Sequence, residues 1–156
     1  MARTQRPPAN TALIGIAGVH HVVSVLSRRG LVALPTVRNT AGYDIVVVTP
    51  DGRAHANIQV KTSSKRASFF RMPISSRVKS GSRDYYVLVR WLEREQRYEG
   101  FMLTGREAKA EVVRGERIQR ARRREKTRVS IVPNVSVTAN PRRTARWYRR
   151  WRTWRL

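Results

Sequence analysis

Tyr43-Asp44-Ile45-Val46-Val47-Val48-Thr49, followed after Pro50-Asp51-Gly52 by Ile58-Gln59-Val60-Lys61-Thr62, decides the architecture of this chain. The uninterrupted aliphatic run from Ile45 to Val48 reads as a strand buried on both faces. Pro-Asp-Gly is a turn, so residues 43–49 and 54–62 pair as a hairpin. Alternation along the second strand sets Gln59 and Lys61 on one face and Val60 on the other. Asp44 opens an apolar strand, where a lone carboxylate is costly to bury without a partner. Across the hairpin it can lie beside the Gln59–Lys61 face, bringing a carboxylate, an amide oxygen and an ammonium to one sheet edge. Two uses fit those parts. One is a structural Asp44–Lys61 ion pair. The other is metal-assisted phosphodiester hydrolysis: Mg²⁺ takes oxygen ligands and keeps several waters, neutralises phosphate charge and acidifies a bound water, and a neighbouring lysine orients that water or stabilises the phosphorus centre.

Outward from the hairpin, residues 1–10 form a basic arm. A helix is expected from Asn10, a suitable N-cap, to Gly30, a stop that follows Arg28 and Arg29. Its apolar positions lie nearly all round, which predicts burial on most sides. Thr11–Leu26 imitates a signal peptide after the basic Met1–Arg6, but His20 and His21 interrupt it and no small-residue cleavage site follows. It also falls short of the roughly 20 apolar residues of a membrane span. Leu31–Thr36 is a short strand broken by Pro35, and residues 38–42 are a loop. After Lys61 comes a basic loop through Ser68, then Phe69-Phe70-Arg71. Asp84–Leu92 and Tyr98–Leu103 read as two further strands. Thr104 and Glu107 have capping-box spacing, opening a helix to about Lys126 that turns very basic from Arg114. Residues 128–137 are extended. In the tail from Pro141, Trp147, Trp151 and Trp154 share a helical face among arginines. That face can dock on the sheet, stack on unpaired bases or lie on a membrane, and docking is the first expectation. The organisation is thus an arm (1–10), one domain (11–140) and an Arg/Trp-rich tail (141–156).

Charge is the outlying property. The chain of 156 residues carries 33 Lys plus Arg against 10 Asp plus Glu, a formal net charge of +23. Such a surface attracts polyanions and releases their counterions on binding. Nucleic acid is the leading partner class, ahead of an anionic membrane or a ribonucleoprotein. Cysteine is absent, which removes disulfides and thiolate metal sites and fits a reducing cytoplasm. Residues 1–83 contain only two carboxylates, Asp44 and Asp51, and Asp51 sits in the turn, where Asp needs no function.

The segment from Gly18 to Thr62 resembles the PD-(D/E)XK nuclease superfamily, in the branch similar to Holliday-junction resolvases. The matching features are Ser27-Arg28-Arg29-Gly30 ending the first helix, Leu34-Pro35-Thr36, Asn39-Thr40-Ala41-Gly42-Tyr43-Asp44 and Ile58-Gln59-Val60-Lys61-Thr62. The resemblance implies an α/β, restriction-endonuclease-like mixed central sheet flanked by helices, N-terminal helix first. It implies metal binding by Asp44, Gln59 and the Val60 carbonyl, with Asp44, Gln59 and Lys61 catalytic and Mg²⁺ or Mn²⁺ as cofactor. DNA is the favoured partner, and related nucleases often act as homodimers. Two departures stand out: Gln59 is neutral where the family usually has an acid, and no carboxylate precedes Asp44, with His20 and His21 at the place of a helix glutamate. Arg38, Lys65, Arg66 and Arg71 are the candidate phosphate contacts around the site. A metal-dependent endonuclease and a non-catalytic binding module of the same fold are both carried forward.

Overall fold

The computed structural model describes residues 10–37, 42–64, 69–125 and 133–156. Three helices, α1 (Thr11–Arg28), α2 (Gly105–Glu125) and α3 (Pro141–Thr153), accompany seven strands. These are β1 (Val32–Pro35), β2 (Ile45–Val48), β3 (His55–Ser63), β4 (Phe69–Arg71), β5 (Asp84–Leu92), β6 (Arg97–Thr104) and β7 (Asn134–Ser136). Five strands form the central sheet in the order β1-β2-β3-β5-β6, with β3 and β5 parallel and the other pairs antiparallel. The architecture is therefore mixed α/β, a mixed sheet flanked by helices with the N-terminal helix first, as expected. A second, two-stranded sheet pairs β4 with β7. Phe69–Arg71, read from sequence as the end of the basic loop from Ser63, is thus a strand whose partner is remote in sequence.

Local chemistry accounts for the boundaries. The Asn10 side chain accepts from the Ala12 amide at 3.0 Å and starts α1. Gly30, at φ 81°, ends it in the left-handed conformation that glycine tolerates best. The hairpin turn closes through Gly52 N–H to the Thr49 carbonyl at 2.8 Å. At α2 the Glu107 amide donates to Thr104 Oγ1 at 3.2 Å, while the Glu107 carboxylate accepts from the Thr104 amide at 2.9 Å, the reciprocal capping box that the spacing predicts.

Two apolar layers sandwich the sheet. On one face Val22 and Leu26 of α1 meet Ile45, Val47, Ile58 and Val87. On the other, Ala108 and Val112 of α2 meet Tyr86, Leu88, Phe101 and Leu103. α1 differs from expectation. Only Gly18, Val22 and Leu26 are buried, while Leu13 is 62% and Ile16 42% exposed. Among the described residues the helix touches the sheet along one stripe and no second layer lies above it, so apolarity all round does not translate into burial all round there. Its mean hydropathy of 1.3 over 18 residues also suits a membrane span by composition. Gly18 marks its closest approach, because a Cβ there would collide with the Thr62 side chain on β3.

α3 straddles the β6 edge. Trp147 is buried in the layer below the sheet, whereas Trp151 and Trp154 belong to the layer above. Gly100 of β6 leaves room for the Trp151 indole. Arg150 Nη1 donates to the Met102 carbonyl at 3.1 Å, taking up an edge group that would otherwise invite pairing with another strand. Glu107 receives Arg150 and, at 2.7 Å, Arg146; Glu111 receives Arg143 at 3.2 Å. The tail is thus docked on the domain.

Candidate phosphodiester site

The site arises from a length mismatch between neighbouring strands. β2 has four residues and β3 nine, and the register pairs Ile45 with Ile58. Asp44 lies just beyond this last paired position, and β3 then continues without β2 beside it. The Asp44 amide donates to the Ile58 carbonyl at 2.9 Å. Its Oδ2 accepts from the Val60 amide at 2.7 Å, replacing the ladder bond that a longer β2 would have supplied. Two bonds hold the approach to Asp44: Thr36 N–H to the Asp44 carbonyl at 2.9 Å, and Thr36 Oγ1 to the Tyr43 carbonyl at 2.6 Å. A cleft of 530 Å³ opens where β1 and β2 stop. Ala12, Gly15, Val19 and His20 of α1 form one wall, Pro35–Val37 with Gly42–Asp44 the other, and Gln59 and Val60 border it as well.

Gln59 and Lys61 are half-buried on one face of β3, while Ile58 and Val60 are buried on the other. Burial lowers the Lys61 pKa, and the negative charge of Asp44 offsets part of that shift. Among the described residues there is no direct ion pair between them: Asp44 bonds to a backbone amide and acts on Lys61 through its field.

A further carboxylate, missed from sequence, lies on the same side of the sheet. Asp84 opens β5 opposite Asn57 of β3 and is buried. It accepts from the Gly81 amide at 2.7 Å and from Asn57 Nδ2 at 3.3 Å. Tyr43, beside Asp44, hydrogen-bonds to it as well. Burial, that bond and the Asp84 charge raise the Tyr43 pKa. Asp84 thereby anchors the residue adjoining Asp44. The available signal was the one that drew attention to Asp44: an acid at the head of an apolar strand.

The other candidates separate. His20 lines the cleft. His21 points elsewhere, its ring 4.6 Å from that of Tyr98, and burial lowers its pKa. Arg71 is exposed at the end of β4, paired in register with Asn134. Arg38, Lys65 and Arg66 lie outside the described residues.

A divalent cation has a sparse but chemically suitable donor set here. Asp44 keeps one carboxylate oxygen apart from the Val60 bond, and Gln59, which lines the same cleft, carries an amide oxygen, both hard donors of the kind Mg²⁺ or Mn²⁺ takes. Among the described residues no group of three or more His, Cys, Asp or Glu is assembled for a metal. An ion at Asp44 and Gln59 would therefore draw its remaining ligands from water and substrate oxygens.

No family model matches the chain, and no curated protein matches it. Among solved structures the chain is similar to the bacterial homing endonuclease I-Ssp6803I, at 18% identity and a TM-score of 0.42, over 60% of this chain and 65% of that one. The match spans less than two thirds of that chain, and likeness at this level assigns neither a family nor a function to the present one.

Proposed function

We propose that this protein binds nucleic acid, DNA in preference, and hydrolyses its phosphodiester bonds at Asp44, Gln59 and Lys61 in a fold of the restriction-endonuclease-like kind. One observation carries the proposal: Asp44 and Gln59 line one open cleft, and Lys61, on the Gln59 face of β3, lies within the field of Asp44, in a chain of net charge +23. The positive surface gathers the polyanion and seats a phosphate over the cleft. Asp44 and Gln59 would hold a divalent cation, which when bound would supply charge neutralisation and a more acidic water. Lys61 places positive charge beside the phosphoryl group as negative charge builds on it. His20, on the cleft wall, is a further donor to a phosphate oxygen. Tyr43 and Asp84 keep the Asp44 backbone in register.

A second reading is a binding module without catalysis. The Asp44–Val60 bond favours it, because it gives the carboxylate a structural task that needs no metal. Incubation with linear, single-stranded and branched DNA in Mg²⁺ or Mn²⁺ separates the two. The nuclease reading expects scission by the parent and none by Lys61→Ala or Asp44→Ala. Binding without scission in every reaction would leave only the module.

A further inference from the structure

We infer that the outer face of α3 is a second phosphate-tracking surface, formed by Arg142, Arg149 and Arg152, that holds a nucleic-acid backbone at the sheet edge opposite the cleft. The inference rests on the proposal that the chain binds nucleic acid. α3 divides its arginines into two groups. Arg143, Arg146 and Arg150 are ion-paired to Glu107 and Glu111 on α2. Arg142, Arg149 and Arg152 are exposed, and no carboxylate pairs with them among the described residues. At 100° per residue these three fall within about 80° of arc, diametrically across the helix from the buried Trp147, Trp151 and Trp154. From Arg142 to Arg152 the stripe runs about 15 Å along the helix axis. That length spans several phosphates of a nucleic-acid strand.

Position and rigidity strengthen the case. α3 covers β6, whereas the cleft opens beside β1 and β2 at the far side of a five-stranded sheet. Strands spaced about 4.8 Å apart put the two surfaces roughly 20 Å from each other or more, so one stretch of duplex or two arms of a branched molecule can reach both. The tryptophans fix the helix, so little ordering is left to accomplish on binding. The Arg152 guanidinium lies 5.8 Å from the Tyr148 ring centroid and is held over it. Nucleic acid also fits better than a membrane. An interfacial helix inserts an apolar face, and the apolar face of α3 is consumed: Trp147, Trp151 and Trp154 are 1%, 5% and 7% exposed.

The test compares the parent, the triple variant Arg142→Gln/Arg149→Gln/Arg152→Gln, and a control of equal charge loss at other exposed sites, Arg53→Gln/Arg94→Gln/Arg97→Gln. Binding of a labelled 30-base-pair duplex is measured from 50 to 300 mM salt. Each phosphate contact contributes about 0.9 to the log–log salt slope. The α3 variant should lose about 2 to 3 from that slope and bind at least about tenfold more weakly at 0.1 M salt, with tryptophan emission and Tm close to the parent's. The control should change little. Equal losses in both triples would overturn the inference in favour of net charge alone, and an unchanged slope in the α3 variant would overturn it outright. So would loss of binding by the α3 variant to vesicles of phosphatidylserine and phosphatidylcholine with DNA binding intact, which would mark a membrane surface instead. A parent that fails to bind the duplex at any salt would bring down the proposed function itself, a result distinct from all of these.

Discussion

At the scale of single residues, Asp44 has a structural task and, in the proposed function, a second one at a cation, and substitution can separate them. Asp44→Ala removes the acceptor for the Val60 amide and should cost about 1–3 kcal/mol of stability. Asp44→Asn retains an acceptor oxygen, so it should unfold close to the parent while losing the charge a cation needs. Chemical denaturation of both variants checks the difference; equal stability of Ala and Asn would mean that the bond to Val60 contributes nothing. Lys61 carries a pH signature. Its folded pKa lies below the ordinary 10.5 because burial outweighs the attraction of Asp44. Between the folded pKa and 10.5 the unfolded chain binds more protons, so stability rises with pH there. The destabilisation by charged Lys61 is complete below its folded pKa and is relieved as pH approaches 10.5. Lys61→Met should therefore melt a few degrees higher than the parent near pH 7, and the advantage should shrink toward alkaline pH. A difference that stays flat over that range contradicts the account. Asp44 and Lys61 stood out in the sequence because charge in an apolar strand is costly. Asp84 carried the same signal, but beside the local Gly81 amide its partners Asn57 and Tyr43 are remote in sequence and reach it only in the folded sheet, where β3 and β5 pair.

At the scale of elements, α3 and its docking define a testable unit. Burial pushes the Glu107 carboxyl up, but the Arg150 hydrogen bond, the Thr104 amide and the charges of Arg150 and Arg146 together outweigh it and hold the pKa below the ordinary 4.5. A carboxyl shifted in that direction stabilises the fold above its unfolded pKa, and the contribution is lost as pH falls through the folded value. Acid titration should therefore loosen α3 below about pH 4.5, seen as a red shift of tryptophan emission, and Glu107→Gln should show that shift already at neutral pH. Emission that stays blue in Glu107→Gln would mean that the tryptophans alone hold the helix. Trp147→Ala should cost about 3–5 kcal/mol, since the side chain is 1% exposed. Much at this scale was legible in advance. Asp84–Leu92 coincides with β5, the Thr104–Glu107 spacing starts α2, and the tryptophan spacing predicted a docked face. That α3 straddles an edge, with tryptophans in both layers, was not legible, because helical spacing reports a shared face but not what lies beneath it. The exposed flank of α1 escaped for a related reason: apolar character on a helix does not reveal how many layers surround it. The β4–β7 pair joins segments more than sixty residues apart, beyond the reach of any local pattern.

At the scale of the whole molecule, the proposed function assigns affinity to charge and chemistry to the cleft. With 33 basic residues against 10 acidic, duplex binding should weaken by about 10³–10⁵ between 50 and 200 mM salt if six to ten phosphates are engaged. Affinity indifferent to salt would remove the electrostatic basis of binding. The most direct test of the central claim, that Asp44, Gln59 and Lys61 cleave what the basic surface gathers, joins binding to scission in one experiment. Parent and Asp44→Asn are each saturated with end-labelled branched DNA in Mn²⁺, bound fraction and product are followed in a single turnover, and folding is checked by Tm. The account predicts equal binding, with a cleavage rate at least about 10³-fold lower in Asp44→Asn, since the variant loses the charge that holds the cation. Equal cleavage by the two proteins, or none by a parent that is fully bound, would contradict it.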